Sequence, residues 1–214
     1  MSEATVFEPS GVLGIVRFHD SGDVMGAVDA LLRGGVELVE ITIDTPGGLA
    51  AVERAAGEGR TVGVGTVVSA DQVRASAAAG AGFVVSPGVI ADVIDRAREE
   101  GLEPIAGVFT ATEILAATAA GARVLKLFPA SFGGPPYLRA LRAPFPASAL
   151  VPTGGVRIDE IAAYFDAGAT AVALGSELVG RSAPGSDAEL ERIVAQAARA
   201  TEAARQAVLP ATAG

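Results

Sequence analysis

Apolar residues along this chain fall into short blocks, each opened by a small glycine-rich turn. RGGVELVEI, AGAGFVVSP, EGLEPIAGV, AGARVLKLF and AGATAVALG share this form, and each follows an Ala-rich stretch. The pattern reads as helix, left-handed glycine stop, short loop and buried strand. Repeating that unit alternates strands with helices, which predicts a parallel sheet covered by helices. The strands are expected at 12–18, 38–43, 61–67, 83–87, 104–108, 124–128, 150–155 and 171–176. Helices fill the intervals, near 22–33, 47–57, 69–79, 89–100, 111–120, 135–142 and 158–167, with a last helix over about 187–207. Ser69 with Asp71, and Thr110 with Glu113, carry the chemistry of helix starts. Eight βα units in 214 residues predict a single (β/α)8 (TIM) barrel spanning 1–214. A short N-terminal segment over 1–10 would close the barrel bottom, and 208–214 would form a frayed tail. A doubly wound open sheet is the runner-up, but GIVRFHDSGD after the first strand is not its dinucleotide loop.

Side chains on a barrel strand alternate between the lumen and the helix layer, so polar residues inside strands are informative. On the second strand Glu40 and Thr42 share the inward parity, while Val39, Ile41 and Ile43 face the helices. On the sixth, Lys126 shares parity with Val124 and Phe128, while Leu125 and Leu127 face outward. Arg17 ends the first strand and Thr66 the third. An acid, an amine, a guanidinium and a hydroxyl are thus expected to converge on one cavity. Lys126 is the only lysine, the other fifteen basic residues being arginine. A buried amine is costly as a cation and is favoured in its neutral form, which a Schiff-base nucleophile needs and arginine cannot supply. The competing reading is a Glu40–Lys126 ion pair that only fills the lumen, a poor use of a core because desolvation offsets the attraction.

Composition narrows the partners. Half of the residues are hydrophobic and the mean hydropathy is +0.44, enough for a large core. The net charge of −9 disfavours nucleic acid or an anionic membrane as partner. An anionic substrate would therefore need positive potential supplied locally, by a few arginines and backbone N–H groups. The absence of cysteine excludes disulfides, thiolate metal sites and cysteine nucleophiles. His19 is the only histidine, so neither a histidine-rich metal site nor a Ser–His–Asp triad is expected. MSEATVFEPS lacks the pattern of a signal peptide, and no apolar run reaches the length of a membrane span, so a cytoplasmic protein is expected.

Two glycine-rich loops bear on the substrate. PTGGV (152–156) ends the seventh strand and ALGSEL (173–178) ends the eighth, the positions where barrels hold phosphate with backbone N–H groups. The alternative is that these glycines only make tight turns. His19 reads as a loop residue at most at the cavity rim. Asp44 reads either as a hydroxyl ligand or as the start of a turn before Pro46. Asp20, Asp23 and the carboxylates of 92–103 read as solvated helix faces.

The motifs GGVELVEIT around Glu40, VGVGTV around Thr66, FVVSPG around Pro87, VLKLFPA around Lys126, PTGGV around Gly154 and LGS at Gly175–Ser176 occur in this order over nearly the whole chain. In these the sequence resembles the class I 2-keto-3-deoxy-6-phosphogluconate (KDPG) aldolases, which release pyruvate and glyceraldehyde 3-phosphate, and the related aldolases acting on the galactonate analogue and on 4-hydroxy-2-oxoglutarate (KHG). The resemblance implies that Lys126 forms the imine and that Glu40 is the acid–base group. It implies that Thr66 binds the pyruvoyl carboxylate with help from an arginine. Gly154, Gly155 and Ser176, next to Gly175, would hold the phosphate, and Pro87, Phe128 and Thr153 would line the cavity. Many phosphogluconate enzymes carry an arginine just after the second strand, where this chain has Asp44. Others have one at the end of the first strand, so carboxylate binding falls to Arg17. The resemblance implies no cofactor and no metal, a 2-oxo-acid substrate and a homotrimer. A barrel isomerase acting on a phosphorylated metabolite and a non-catalytic sugar-phosphate-binding barrel are the competing classes.

Overall fold

The computed structural model describes residues 11–208. The segment expected to close the barrel bottom and residues 209–214 of the expected tail lie outside them. Eight parallel strands alternate with helices: β1 (Val12–Val16), β2 (Leu38–Thr42), β3 (Val62–Gly65), β4 (Phe83–Val85), β5 (Glu103–Val108), β6 (Val124–Leu127), β7 (Ala149–Pro152) and β8 (Val172–Leu174). The sheet runs in chain order from β1 to β7, with β8 pairing back onto β1. A bridge between Thr153 and Ala173 joins the two ends, so the sheet closes into a (β/α)8 barrel.

The helices are α1 (Val24–Arg33), α2 (Gly48–Gly57), α3 (Ala70–Ala78), α4 (Ala91–Glu99), α5 (Ala111–Ala119), α6 (Gly134–Arg142), α7 (Ile161–Asp166), α8 (Ser176–Val179) and α9 (Asp187–Val208). Six of the glycines that end helices, Gly35, Gly59, Gly80, Gly101, Gly121 and Gly168, take φ between 75° and 96°. That left-handed turn costs glycine little, and it is why the glycine recurs in the repeat. Thr110 and Glu113 form a capping box on α5, and Ser69 caps α3 by accepting from the Gln72 N–H. Helix α9 lies across α1 and α7 and includes Val208, which the sequence pattern assigns to the tail.

The strands have two faces. Val39, Ile41, Val62, Val64, Val84, Leu125, Leu127 and Leu150 pack outward against the helices. Leu13, Ile15, Phe83, Val85, Ile105, Val124, Val151, Ala171 and Ala173 fill the lumen. Strand β3 offers only Gly63 and Gly65 to the lumen, and neighbours occupy the space they leave. A Cβ on Gly63 would sit 2.3 Å from the Phe83 ring, and one on Gly65 would sit 1.9 Å from Oε1 of Glu40.

Three acidic residues depart from the solvated-helix reading. Glu103 opens β5, is buried, and accepts from Arg123 at 2.6 Å. Its position between Gly101 and Pro104 marks the strand start, not the helix face that precedes it. Asp23 is the N-cap of α1, accepting from the Gly26 N–H at 2.7 Å. Asp20 accepts from the Ala183 N–H at 2.9 Å, tying the β1 loop to the segment after α8.

Candidate active site

Glu40 and Lys126 point into the lumen from β2 and β6, across the barrel. Lys126 is flanked in register by Gly107 on β5 and Val151 on β7, and Glu40 by Ile15 on β1 and Gly63 on β3. Room for the Glu40 side chain comes from Gly65, two residues along β3, while the space at Gly107 and Gly63 is taken by the Pro87 backbone and the Phe83 ring. Nζ of Lys126 stands 3.5 Å from Oε1 of Glu40. Glu40 is 0% exposed and Lys126 9%, so the pair marks the floor of whatever opens above it. Oε2 of Glu40 is buried without a hydrogen-bond partner among the described residues. A buried carboxylate oxygen left without a donor is costly, which makes it an available proton acceptor at the floor.

Arg17 follows β1 directly, and its Nη2 donates to Oγ1 of Thr66. Thr66 takes φ 61°, a left-handed conformation that a β-branched residue rarely adopts and that costs about 1–3 kcal/mol. That backbone turn sets the hydroxyl beside the guanidinium at the end of β3. Asp44 lies on the other side, with Oδ1 4.0 Å from Nε of Arg17. It stands in the expected turn after β2 and in addition faces the arginine. Thr45 fastens that turn to β1: its Oγ1 accepts from the Phe18 N–H at 3.3 Å and lies 3.0 Å from Oγ1 of Thr42.

Above the pair, at the C-terminal ends of the strands, opens a cavity of about 540 Å³. Lys126 and all the expected substrate-binding residues line it: Arg17, Thr66, Pro87, Phe128, Thr153, Gly154, Gly155, Gly175 and Ser176. Glu40 does not reach its surface and sits behind Lys126. The Phe128 ring lies 5.7 Å from Nζ of Lys126, and the chain after β6 hydrogen-bonds to the glycine loop through Ser131 N–H and Gly154 O. Gly154 and Gly155 take φ 87° and 77° and pass close to the Phe128 ring and to Ser131. A side chain at either would strike these neighbours, so the backbone itself forms that wall.

His19, Arg157, Glu177 and Arg181 also line the cavity. Strand parity could not find them, because all four lie on loops or the short α8. The signal available was position, since Arg157 comes directly after the first glycine-rich stretch and Arg181 three residues after the second. His19, read as a loop residue, is exposed and faces the cavity. Among the described residues no group of histidine, aspartate or glutamate is arranged to hold a metal ion. No described helix is long and apolar enough to cross a membrane. The arrangement as a whole can take a carbonyl compound onto an amine, move protons through an adjacent carboxylate, and hold an anion beside Arg17.

Comparison with known proteins gives the same picture. The family model described as KDPG and KHG aldolase matches residues 4–195. The 2-dehydro-3-deoxy-6-phosphogalactonate aldolase of Escherichia coli is 36% identical over 203 residues, covering 92% of this chain and 96% of its own. The 2-dehydro-3-deoxy-phosphogluconate aldolase of Pseudomonas aeruginosa is 36% identical over 163 residues, covering 75% and 74%. Among solved structures, a KDPG aldolase from Legionella pneumophila, with pyruvate captured as a covalent carbinolamine, superposes with a TM-score of 0.77. It is 27% identical, covering 90% of this chain and 95% of that one.

Proposed function

The chain belongs to the KDPG and KHG aldolase family, and from that premise we propose that it reversibly cleaves a 2-keto-3-deoxy-6-phospho sugar acid to pyruvate and glyceraldehyde 3-phosphate. The observation that carries this is the amine of Lys126 held 3.5 Å from the buried carboxylate of Glu40 on the cavity floor.

The amine of Lys126 attacks the C2 ketone, and Glu40 supplies the proton on which the carbinolamine hydroxyl leaves as water. The resulting iminium is the electron sink. Glu40, through a water, takes the proton of the C4 hydroxyl. The C3–C4 bond then breaks, its electron pair passing into the enamine while C4 leaves as the aldehyde carbon. Protonation of the enamine at C3 and hydrolysis of the imine release pyruvate and restore the amine. Arg17 and Oγ1 of Thr66 bind the carboxylate next to C2, and Pro87, Phe128 and Thr153 form the walls. Gly154, Gly155 and Gly175 with Ser176 receive the phosphate. The imine takes the electron-withdrawing role that a divalent ion plays in metal-dependent aldolases, so the mechanism calls for neither metal nor cofactor.

The galactonate analogue is the second substrate reading. It is supported by the phosphogalactonate aldolase of Escherichia coli, which is 36% identical and covers 92% of the chain. 4-Hydroxy-2-oxoglutarate is the third. A cytoplasmic homotrimer completes the reading. Phe132 and Leu115 leave large apolar side chains exposed, at 83% and 60%, which a second copy would cover.

Pyruvate release from the three substrates, measured with and without EDTA, tests the proposal. Cleavage of at least one, unaffected by EDTA, is expected. Binding without pyruvate release would leave the sugar-phosphate-binding barrel, and an EDTA loss restored by metal would point to metal-dependent chemistry.

A further inference from the structure

The cavity carries a charge bias that the reaction at its floor does not use up. The chain has 16 Lys and Arg against 25 Asp and Glu, yet the cavity lining holds four of the former, Arg17, Lys126, Arg157 and Arg181, and one of the latter, Glu177. In so acidic a protein this concentration is a local field for an anion.

Three of the four cations are already engaged. Lys126 faces Glu40. Arg17 faces Thr66 and Asp44. Arg157 gives Nε and Nη2 to the two carboxylate oxygens of Asp159, both at 3.0 Å. Glu177 is turned to the Ile158 N–H, at 3.5 Å from Oε1. Arg181 alone among the four has no hydrogen-bond or ion-pair partner among the described residues.

Its position is held by the fold. Gly180 ends α8 with φ 83° and turns the chain so that Arg181 borders the cavity. Arg181 also borders a second cavity of about 220 Å³ on the α9 side, which places it at the rim. The segment that follows is stitched to the β1 loop. Asp20 accepts from the Ala183 N–H, and a Cβ on Gly22 would fall 2.4 Å from Cβ of Ala183. That contact brings the loop bearing His19, an exposed donor lining the same cavity, beside the segment bearing Arg181.

We infer that Arg181, assisted by His19, is a specificity-determining residue that grips an oxyanion at the end of the substrate remote from C2. The inference rests on the aldolase reading above and extends it from the floor to the rim. A guanidinium fork matches the geometry of either a phosphate or a carboxylate, and with no internal partner it is free to close on one.

The test compares wild type, Arg181→Gln and Arg181→Lys on a phosphorylated 2-keto-3-deoxy acid, on its unphosphorylated counterpart and on 4-hydroxy-2-oxoglutarate. The quantity read is the ratio of kcat/KM for each anion-ended substrate to that for the neutral-ended one. For an exposed charged hydrogen bond the loss is about tenfold. Arg181→Gln should lower the ratio by that factor for at least one anion-ended substrate, through KM, and Arg181→Lys should restore part of it. The substrate that suffers the larger loss identifies the oxyanion. Unmoved ratios for both anion-ended substrates, or a fall in kcat alone, would overturn the inference. Borohydride trapping of pyruvate, run on the same samples, separates the two readings. Trapping with unmoved ratios removes the rim contact and leaves the aldolase, whereas no trapping in wild type removes the aldolase reading itself.

Discussion

Replacing Gly65 by alanine adds a methyl group where the Glu40 carboxylate, the proposed acid–base group, now lies. The new Cβ would stand 1.9 Å from Oε1 of Glu40, 2.6 Å from Cδ and 2.7 Å from Cγ. To reach an ordinary contact of 3.4 Å the oxygen has to retreat by about 1.5 Å. Glu40 is fully enclosed, so it cannot swing into solvent, and the shift must be taken up inside the lumen against Lys126 and the neighbouring strands. Overpacking of this kind costs about 1–3 kcal/mol of stability, which lowers Tm by about 2–4 °C per kcal/mol in a chain of this size. The effect on turnover is larger, because misplacing a reacting group by about 1 Å costs about 100-fold. Gly63→Ala is the matched control. Its Cβ would press on the Phe83 ring at 2.3 Å, on the same strand and with a comparable steric load, but away from the Glu40 carboxylate. Thermal denaturation should show both variants destabilised, and steady-state pyruvate release should show kcat reduced about 100-fold in Gly65→Ala alone. If Gly65→Ala turned over within about threefold of Gly63→Ala, the position of Glu40 would not control the reaction and the reasoning would be refuted.

Thr66→Gly removes both the strained φ of 61° and the hydroxyl that Arg17 donates to. The two stability effects oppose each other, so Tm should stay within about 3 °C of wild type while KM for the 2-oxo acid rises about five- to tenfold; a lower Tm with unchanged KM would assign Thr66 to structure alone. Backbone N–H groups of Thr110, then of Phe109, hold the Glu113 carboxyl below its ordinary value. A depressed folded pKa contributes stability that is complete above about pH 4.5 and is lost as the pH falls through the lowered value. Acid unfolding of Glu113→Gln should therefore be shallower below about pH 4.5 than that of wild type, and parallel curves would remove the capping box from the account. Lys126→Arg keeps the positive charge but cannot form an imine, so turnover should fall to background with the circular dichroism spectrum unchanged; residual turnover would mean a different nucleophile.

Strand interiors were the legible part of the fold and of the site. Period-two alternation put Glu40 and Lys126 on one face of their strands, and the recurring glycine marked six of the helix ends, because both features are local in the chain. Residues beyond the strand ends were less legible. Arg181 borders the cavity through the Gly180 turn and a segment after α8 that Asp20, far from it in sequence, holds at Ala183, and no local pattern records that second contact. His19 was undervalued for the same reason. Glu103 resembled its helical neighbours in composition, yet it begins a strand and turns inward to Arg123. Asp44 shows the converse limit: its departure from the family pattern was visible in the sequence, but its place 4.0 Å from Arg17 was not.

All of the proposed chemistry follows from a covalent bond between the nitrogen of Lys126 and the substrate. Incubation with pyruvate and borohydride, followed by proteolysis and mass spectrometry, reads this directly. A single reduced pyruvate adduct is expected on the peptide containing Lys126, absent in Lys126→Arg. An unmodified Lys126 peptide from protein that still releases pyruvate would contradict it.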